Sequence, residues 1–351
     1  MWRNVAGQMR NRTMPPAESK LSEDDRLRIT SWIDDRLRTT ACDIGDYAGA
    51  VAVRRLNRRE YHNTIRDLIG IDFNVSEAFP ADGTGGAGFD TNGETLFIPP
   101  LLMERYLEAA QQIVDRAIIS PKLLKSYTSA EMEPAVVAPS RVLAPGQEAS
   151  AMLPVYLDGD YDVAVSADRS EPMGKLLLKI DGLAGVPLTA PPAAQQGRAG
   201  GGRPPVYRIQ VRLGRGLRML SLVSEDNPVT IRGLTVEQKV RAPSPERLAV
   251  HYRLLGTEPG EELLNSRKAA QQILRTFLRK AYRRPVQQTD TDRLLVLYDR
   301  SAQRGDPFEE RMKLVLKAVL AGPEFLFRFE RRNEKPGIHP LGQHELAVRL
   351  S

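Results

Sequence analysis

The spacing of apolar residues changes period twice along this chain, and that change restricts the fold more than any single motif. Up to about residue 129 the apolar positions repeat at helical spacing; from about 132 to 240 they alternate; beyond 244 the helical period returns. Neither an all-helical bundle nor an all-β barrel accommodates both patterns. The expectation is a multidomain α and β chain with a helical N-terminal region, an antiparallel, jelly-roll-like β-sandwich in the middle and a helical-bundle C-terminal region.

Four helices are predicted in the first block. Trp2, Val5 and Met9 sit at helical spacing, and after Thr13-Met14-Pro15-Pro16 a second helix opens at Ser22, with Asp25 closing a capping box and Ile29, Ile33 and Leu37 as its core stripe. A third runs from about Arg55 to Ile69, buries Tyr61, Ile65, Leu68 and Ile69, and stops at Gly70. A fourth follows Pro99-Pro100 and aligns Leu102, Tyr106, Ala109, Ile113 and Ala117 before Pro121 ends it. A glycine-rich loop, Phe79 to Phe97, lies between the third and the fourth.

In the middle block, Tyr161, Val163, Val165 and Ala167 alternate with polar neighbours, as do Leu176, Leu178 and Ile180, and then Tyr207, Ile209, Val211 and Leu213. Turn-type glycines separate these runs, which favours antiparallel strands. The stretch Pro187 to Pro205 is an Ala/Gly/Pro/Gln tract expected to stay out of the core. Past the linker Ala242-Pro243-Ser244-Pro245, three helical stripes are expected: Ala269, Ile273, Phe277 and Leu278; Leu294, Leu297 and Tyr298; and Met312, Val315, Leu316 and Val319. Gly322-Pro323 is read as closing the last of them. The segment Gly342 to Ser351 opens a further amphipathic helix without a closing cap, which reads as a chain cut within a longer protein.

Composition narrows the function classes. With 351 residues and 41% hydrophobic residues the chain is not a core-poor disordered one, and a single cysteine, Cys42, excludes a disulfide scaffold. Lys+Arg 50 against Asp+Glu 44 leaves +6, a dispersed excess and not the footprint of nucleic acid. No window approaches the ~20 apolar residues of a membrane span; the most apolar stretch, Leu314 to Leu320, carries Lys317.

Gly83-Thr84-Gly85-Gly86-Ala87-Gly88 matches G-x-G-x-x-G, but no strand enters it and no helix leaves it, so the dinucleotide mechanism has no frame. Asp82, Asp90, Asn92 and Glu94 are Ca²⁺ donor types in the same loop, without the twelve-residue spacing of a calcium loop; Asx-turns are the simpler reading. None of the four histidines, His62, His251, His339 and His344, has a partner at metal-binding spacing, since Val348 occupies the position four residues after His344. The arginines at 54-55, 58-59 and 328-332 read as solvated helix faces. Met14, in a proline-stiffened segment after an amphipathic helix, is the residue type and setting of an axial haem ligand, although such a methionine is more often a loop hydrophobe.

These residues resemble the large planctomycete-type secreted proteins in which a cytochrome-c-like domain precedes conserved domains of unknown function. MRNRTMPPAESKLSEDDRLRITSWIDDRL is similar to the last third of the cytochrome domain. RRLNRREYHNTIRDLIGID with FPADGTGGAGFDTNGETLFIPPLLMERYLEAAQQIVDRA is similar to the domain that follows, and SRKAAQQILRTFLRKAYRRPVQQTDTDRLLVLYDRSAQRGDPFEERMKLVLKAVLAGPEFLFRFE to a helical domain further on. HPLGQHELAVRLS looks like the start of the next, and GDYDVAVSADRSEPMGKLLLKIDG resembles carbohydrate-binding-module-like jelly rolls.

The resemblance implies a cytochrome remnant at 1–40, helical domains of unknown function at 50–129 and 244–332, the sandwich at 132–240 and the start of a further helical domain at 338–351. It also implies an extracytoplasmic protein that transfers electrons through haem c, with a redox partner protein, and that associates with polysaccharide. Met14 carries over as the distal haem ligand; the Cys-x-x-Cys-His that attaches the porphyrin is not in this sequence. The glycan would meet exposed aromatics, for which Tyr156, Tyr161 and Tyr207 are the candidates in the β block. The alternative is a structural or partner-binding scaffold without haem.

Overall fold

The structure is a computed structural model and describes residues 2–16, 19, 21–43, 53–82, 96, 98–168, 174–190, 204–261, 263–329 and 340–350. It divides into two compact units: Met1–Val53 with Phe329–Ser351, and Arg54–Arg328.

In the first unit α1 (Trp2–Arg10) packs on α2 (Glu23–Asp43). Ser22 Oγ accepts from the Asp25 N–H at 3.1 Å and donates to the Asp25 carboxylate at 2.7 Å, so the expected capping pair forms. Arg26 donates to the carbonyls of Met9 (2.9 Å) and Met14 (2.7 Å), folding the turn between the helices back onto α2. Ala6, Met9, Thr30 and Ile33 are buried, whereas Ile29, expected in the core, is 38% exposed. Thr30 takes the inward position because its hydroxyl is satisfied by the Arg26 and Leu27 carbonyls.

The second unit opens with β1 (Arg54–Arg55) and α3 (Arg58–Ile69). The helix begins three residues later than its periodicity suggests, because Asn57 caps it: Asn57 Oδ1 accepts from the Glu60 N–H (2.7 Å) while the Glu60 carboxylate accepts from the Asn57 N–H (3.0 Å). Gly70 closes it at φ +79, and the Arg253 guanidinium lies against this glycine and donates to the Ile69 carbonyl. α4 (Pro100–Ala117) buries the full predicted stripe of Leu102, Tyr106, Ala109, Ile113 and Ala117.

The sandwich begins at 124, earlier than the change of period suggests. Its strands are β2 (Leu124–Thr128), β3 (Arg141–Leu143), β4 (Glu148–Val155), β5 (Gly159–Ala167), β6 (Leu176–Ile180), β7 (Val186–Pro187), β8 (Val206–Leu213), β9 (Gly216–Ser224) and β10 (Val229–Gln238). One sheet runs β2-β10-β5-β8, with β3 sharing the outer edge of β10; the other runs β4-β9-β6-β7; all pairs are antiparallel. The alternating residues of β5 and β8 face those of β4 and β9 to form the core, which includes Tyr127, Tyr161 and Tyr207. Gly233 sits where β10 slips register, and a Cβ there would come within 2.6 Å of the Tyr127 carbonyl. Leu188, at the edge of the tract expected to stay out of the core, is buried; the residues of that tract from 191 to 203 lie outside the described ones.

The chain returns to helix with α5 (Pro245–Leu255), capped by Ser244, then α6 (Ser266–Ala281), α7 (Gln288–Gln303) and α8 (Phe308–Leu320). Gly322-Pro323 does not end the structure there but starts the single turn α9 (Pro323–Leu326), which runs into β11 (Phe327–Arg328). In the first unit, Gln343–Leu350 forms α10, the helix expected near the end of the sequence.

The two helical blocks, separated in sequence by the sandwich, share one core. Tyr61 of α3 stacks edge-on against Phe325 of α9 at 5.8 Å and against Phe79 at 5.2 Å, with Tyr106 of α4 at 5.3 Å, and the same cluster extends to Phe277, Met312 and Leu316. β1 pairs with β11, placing Arg54 opposite Arg328 and Arg55 opposite Phe327. Three of the arginines expected on solvated helix faces are spent on this closure: Glu60 takes Arg54 at 2.7 Å and Arg328 at 3.2 Å, and Asp82 takes the buried Arg55 at 2.6 Å, while Arg331 and Arg332 lie outside the described residues. Burial alone would raise the Glu60 carboxyl, but the hydrogen bonds from Arg54 and the Asn57 N–H, with the Arg328 charge, hold it below the usual range. Glu60→Gln is therefore expected to cost about 2 kcal/mol, read as a shift in denaturation midpoint. Tyr61 is fully buried and its hydroxyl has no hydrogen-bond partner among the described residues. Tyr61→Phe is expected to leave stability unchanged or to raise it by up to about 1 kcal/mol, and a loss above that on calorimetry contradicts this reading.

Candidate functional site

Within Arg54–Arg328 the sandwich and the helices meet along a cleft of about 950 Å³. Its apolar wall comes from outward-facing strand positions. On β4, Met152 and Pro154 alternate with the buried Leu153 and Val155, and Leu217 of β9 lies opposite Pro154. Together with Leu124 of β2 they form an apolar patch open to water, Leu124 at 65%, Met152 at 49% and Leu217 at 63% exposure. The facing wall is α8 and the turn before it, which present Arg304, Asp306, Glu310, Lys313 and Lys317.

The floor is a buried charge network that ties the two layers together. Lys313 is 2% exposed; its ammonium donates to Ser120 Oγ at 2.5 Å and lies 2.9 Å from Glu310 and 3.2 Å from Asp115. Ser120 in turn donates to Glu310 at 2.5 Å. From the sandwich side Arg215, in the turn between β8 and β9, reaches Asp115 at 2.6 Å and Glu310 at 3.5 Å. Burial would raise the Asp115 carboxyl; the Lys313 charge and the bonds from Arg215 and Gln111 outweigh it and hold it below the usual Asp range. A second tie runs from the Tyr156 hydroxyl to Asp306 at 3.1 Å, and Asp306 also accepts from Ser301 (2.5 Å) and Arg304 (2.7 Å). Burial and the Asp306 charge push the Tyr156 phenol well up, so it stays a donor.

The Ser120–Lys313 contact has the spacing of a serine and its general base, but its hydrogen-bond directions are those of a structural tie. The lysine donates to the serine, the serine donates to Glu310, and two carboxylates flank the ammonium, so no lone pair on Lys313 faces the hydroxyl.

Acid should loosen this unit in two stages. His251 is fully buried, its Nδ1 accepts the Ile119 N–H at 3.0 Å, and burial, with a smaller push from Lys313, lowers its pKa against the opposing pull of the Thr257 backbone. A base whose folded pKa is depressed loses stability as pH falls below its ordinary value of 6.5. Asp115 and Asp306 are depressed acids, so their contribution is present above 3.8 and lost as pH falls below it. Glu309, raised by burial, has the opposite sign and loses stability as pH rises through its folded value. The urea midpoint of His251→Asn is expected to be flat between pH 7 and 5, where the parent declines; a parent curve already flat there contradicts the assignment.

The other described sequence candidates divide between the two units. Met14 lies after α1 in the first unit and is 48% exposed. Among the described residues no three His, Cys, Asp or Glu side chains gather as a metal site, and the sequence given contains no Cys-x-x-Cys-His, the motif that attaches a haem c. Asp82 is committed to Arg55 and to the Arg58 N–H (2.7 Å), while residues 83–88, Asp90, Asn92 and Glu94 lie outside the described residues. Of the three candidate tyrosines, Tyr161 and Tyr207 are core residues and Tyr156 reaches the cleft, which the buried Tyr127 of β2 also lines. Sequence reasoning missed Asp115, Ser120, Arg215, Glu310 and Lys313. The available signal was charge inside the most apolar helix: Glu309, Glu310 and Lys313 are all buried in α8. Among the described residues no helix is long and apolar enough to cross a membrane.

Comparison with the curated proteins gives no match. Among solved structures, those similar to about a third of this chain include carbohydrate-binding modules. One is the CBM36-1 domain of a multidomain xylanase from the hindgut metagenome of Trinervitermes trinervoides, at 18% identity over 35% of this chain and 100% of that one, with a TM-score of 0.26. Another is the module CBM6cm-2 of Cellvibrio mixtus lichenase 5A, in complex with cellotriose, at 11% identity over 33% of this chain and 98% of that one, with a TM-score of 0.26. The 4-O-methyl-alpha-glucuronidase BtGH115A is similar over 33% of this chain at 8% identity and a TM-score of 0.25, and this chain covers only 18% of its length. Residues 54–119 match the family PSD3, protein of unknown function (DUF1587), and residues 269–330 match PSD5, protein of unknown function (DUF1595).

Proposed function

We propose that this chain is the polysaccharide-associated part of an extracytoplasmic multidomain protein, and that the sugar polymer lies in the cleft between the sandwich and the helical body. The observation that carries this reading is the open cleft of about 950 Å³, whose one wall is the exposed apolar patch of Leu124, Met152 and Leu217 and whose other wall is polar. A sugar ring offers an apolar C–H face and a rim of hydroxyls, so it suits a groove with these two unlike walls. Tyr156 is the one aromatic of the original three that adjoins this groove, and its hydroxyl is already committed to Asp306. The apolar contact in this reading therefore comes from aliphatic side chains.

Affinity electrophoresis of the whole chain in gels containing different polysaccharides tests the proposal. Retardation by at least one polymer is expected, with loss of that retardation in the double variant Met152→Asp/Leu217→Asp, whose exposed positions tolerate charge. No retardation by any polymer would sink the reading. Electron transfer is a separate proposal: Met14 would supply one axial thioether to a haem c whose attachment motif comes from polypeptide outside this sequence, and the reduced haem would pass electrons to a redox partner protein. A haem stain and a Soret band from the gene product expressed with its preceding sequence test it, and a colourless product rejects it.

A further inference from the structure

The charges in the cleft do not cancel. Its lining includes six cations, Lys122, Lys125, Arg215, Arg304, Lys313 and Lys317, against two carboxylates, Asp306 and Glu310. Four of the cations are answered: Lys313 and Arg215 by Glu310 and Asp115, Arg304 by Asp306, and Lys122 by Glu237. Lys125 and Lys317 have no carboxylate within ion-pair distance among the described residues. Lys125 is exposed, with its ammonium 5.5 Å from the centre of the Tyr127 ring, and Lys317 is half-buried on α8. One ammonium outside any ion pair therefore stands on the sandwich wall, with the Glu131 carboxylate acting on it only from beyond ion-pair distance, and one on the helical wall, with the apolar patch beside them.

We infer that the cleft selects a polysaccharide carrying anionic groups, carboxylate or sulfate, which Lys125 and Lys317 engage from opposite walls. This rests on the glycan reading above and narrows its substrate class. Charge complementarity makes the choice: a neutral glycan leaves two ammonium groups without an ion-pair partner in a groove whose lining carries more cations than carboxylates, whereas a polymer with repeated anions satisfies both while its rings cover Leu124, Met152 and Leu217. Nucleic acid offers the same charge, but its bases need flat aromatic faces, and the cleft tyrosines are occupied, Tyr127 in the sandwich core beneath Lys125 and Tyr156 on Asp306.

The test is titration calorimetry of the whole chain against a polyuronate, a sulfated dextran, unmodified dextran together with a neutral xylan, and a single-stranded oligonucleotide. Lys125→Glu and Lys317→Glu are compared with Lys175→Glu, which reverses one charge on β6's approach, outside the lining of the cleft. The expected result is binding of at least one anionic polysaccharide, weakened about fivefold or more by either cleft variant and little changed by Lys175→Glu. The polyuronate and sulfate arms tell which anion is preferred. Equal binding of neutral and anionic glycans, or equal loss in all three variants, overturns the anionic selectivity while leaving the glycan reading standing. Tighter binding of the oligonucleotide overturns the choice of polymer, and binding of no polymer removes the glycan reading and the selectivity together.

Discussion

Lys313→Met is expected to cost roughly 3–5 kcal/mol, because it leaves Glu310 and Asp115 charged, buried or half-buried, and without the ammonium that both of them face. In a unit of this size that corresponds to a fall in thermal midpoint of roughly 10 °C. The size comes from the asymmetry between having both partners and having one: the intact network need contribute little, but a broken one strands desolvated charge. The double variant Lys313→Met/Glu310→Gln is accordingly expected to recover part of the loss, since it removes one of the stranded carboxylates. A single variant with the parent's melting temperature would mean that water already reaches these carboxylates. Because Ser120 precedes the sandwich and Arg215 belongs to it, the same variant is expected to raise protease cleavage in the segments joining sandwich and helices.

Phe325→Ala is expected to cost about 3–5 kcal/mol and to be felt more than two hundred residues away in sequence. Phe325 is fully buried, and its ring meets Tyr61 of α3 at 5.8 Å, which itself touches Tyr106 of α4. The expected signature is faster amide exchange in α3 and α4 as well as in α8 and α9. Loss of protection confined to α8 and α9 would show that the helical blocks are held separately.

Regular elements were legible in the sequence because they bury one continuous face. All five predicted α4 positions are buried, as are the four of β5, since a helix against a core and a strand between sheets each impose a single period. In α6 the expected Phe277 and Leu278 are buried, but the first half of the stripe is misread by one position: Ala270 and Leu274 lie deepest there, and Ala269 and Ile273 only flank the core, because neighbouring helices press on both sides of the expected line. β2 is hidden because only Tyr127 of its five residues turns inward, and α5 because only His251 and Leu255 do. The closure of β1 on β11 leaves no periodic trace in two residues on each side, and its arginines look like surface charge until Glu60 and Asp82 are brought to them. The cleft was illegible for the same reason. Lys313 and Ser120 are 193 residues apart, and no spacing rule joins them.

The described residues of 54–119 and 269–328 thus come together as one helical body, with the sandwich inserted between them and the cleft formed where it docks. The first of these segments begins on β1 and the second ends just past β11, so that strand pair fastens one end of each to the other. Native-state hydrogen exchange across a urea series tests this most directly. One body predicts that the slowest amides of α3, α4, α6 and α8 converge on a common opening free energy with a common dependence on urea. If α3 and α4 instead open with their own free energy, unmoved by Phe325→Ala, then the two helical blocks are independent and the account of the cleft as a seam in one body is wrong.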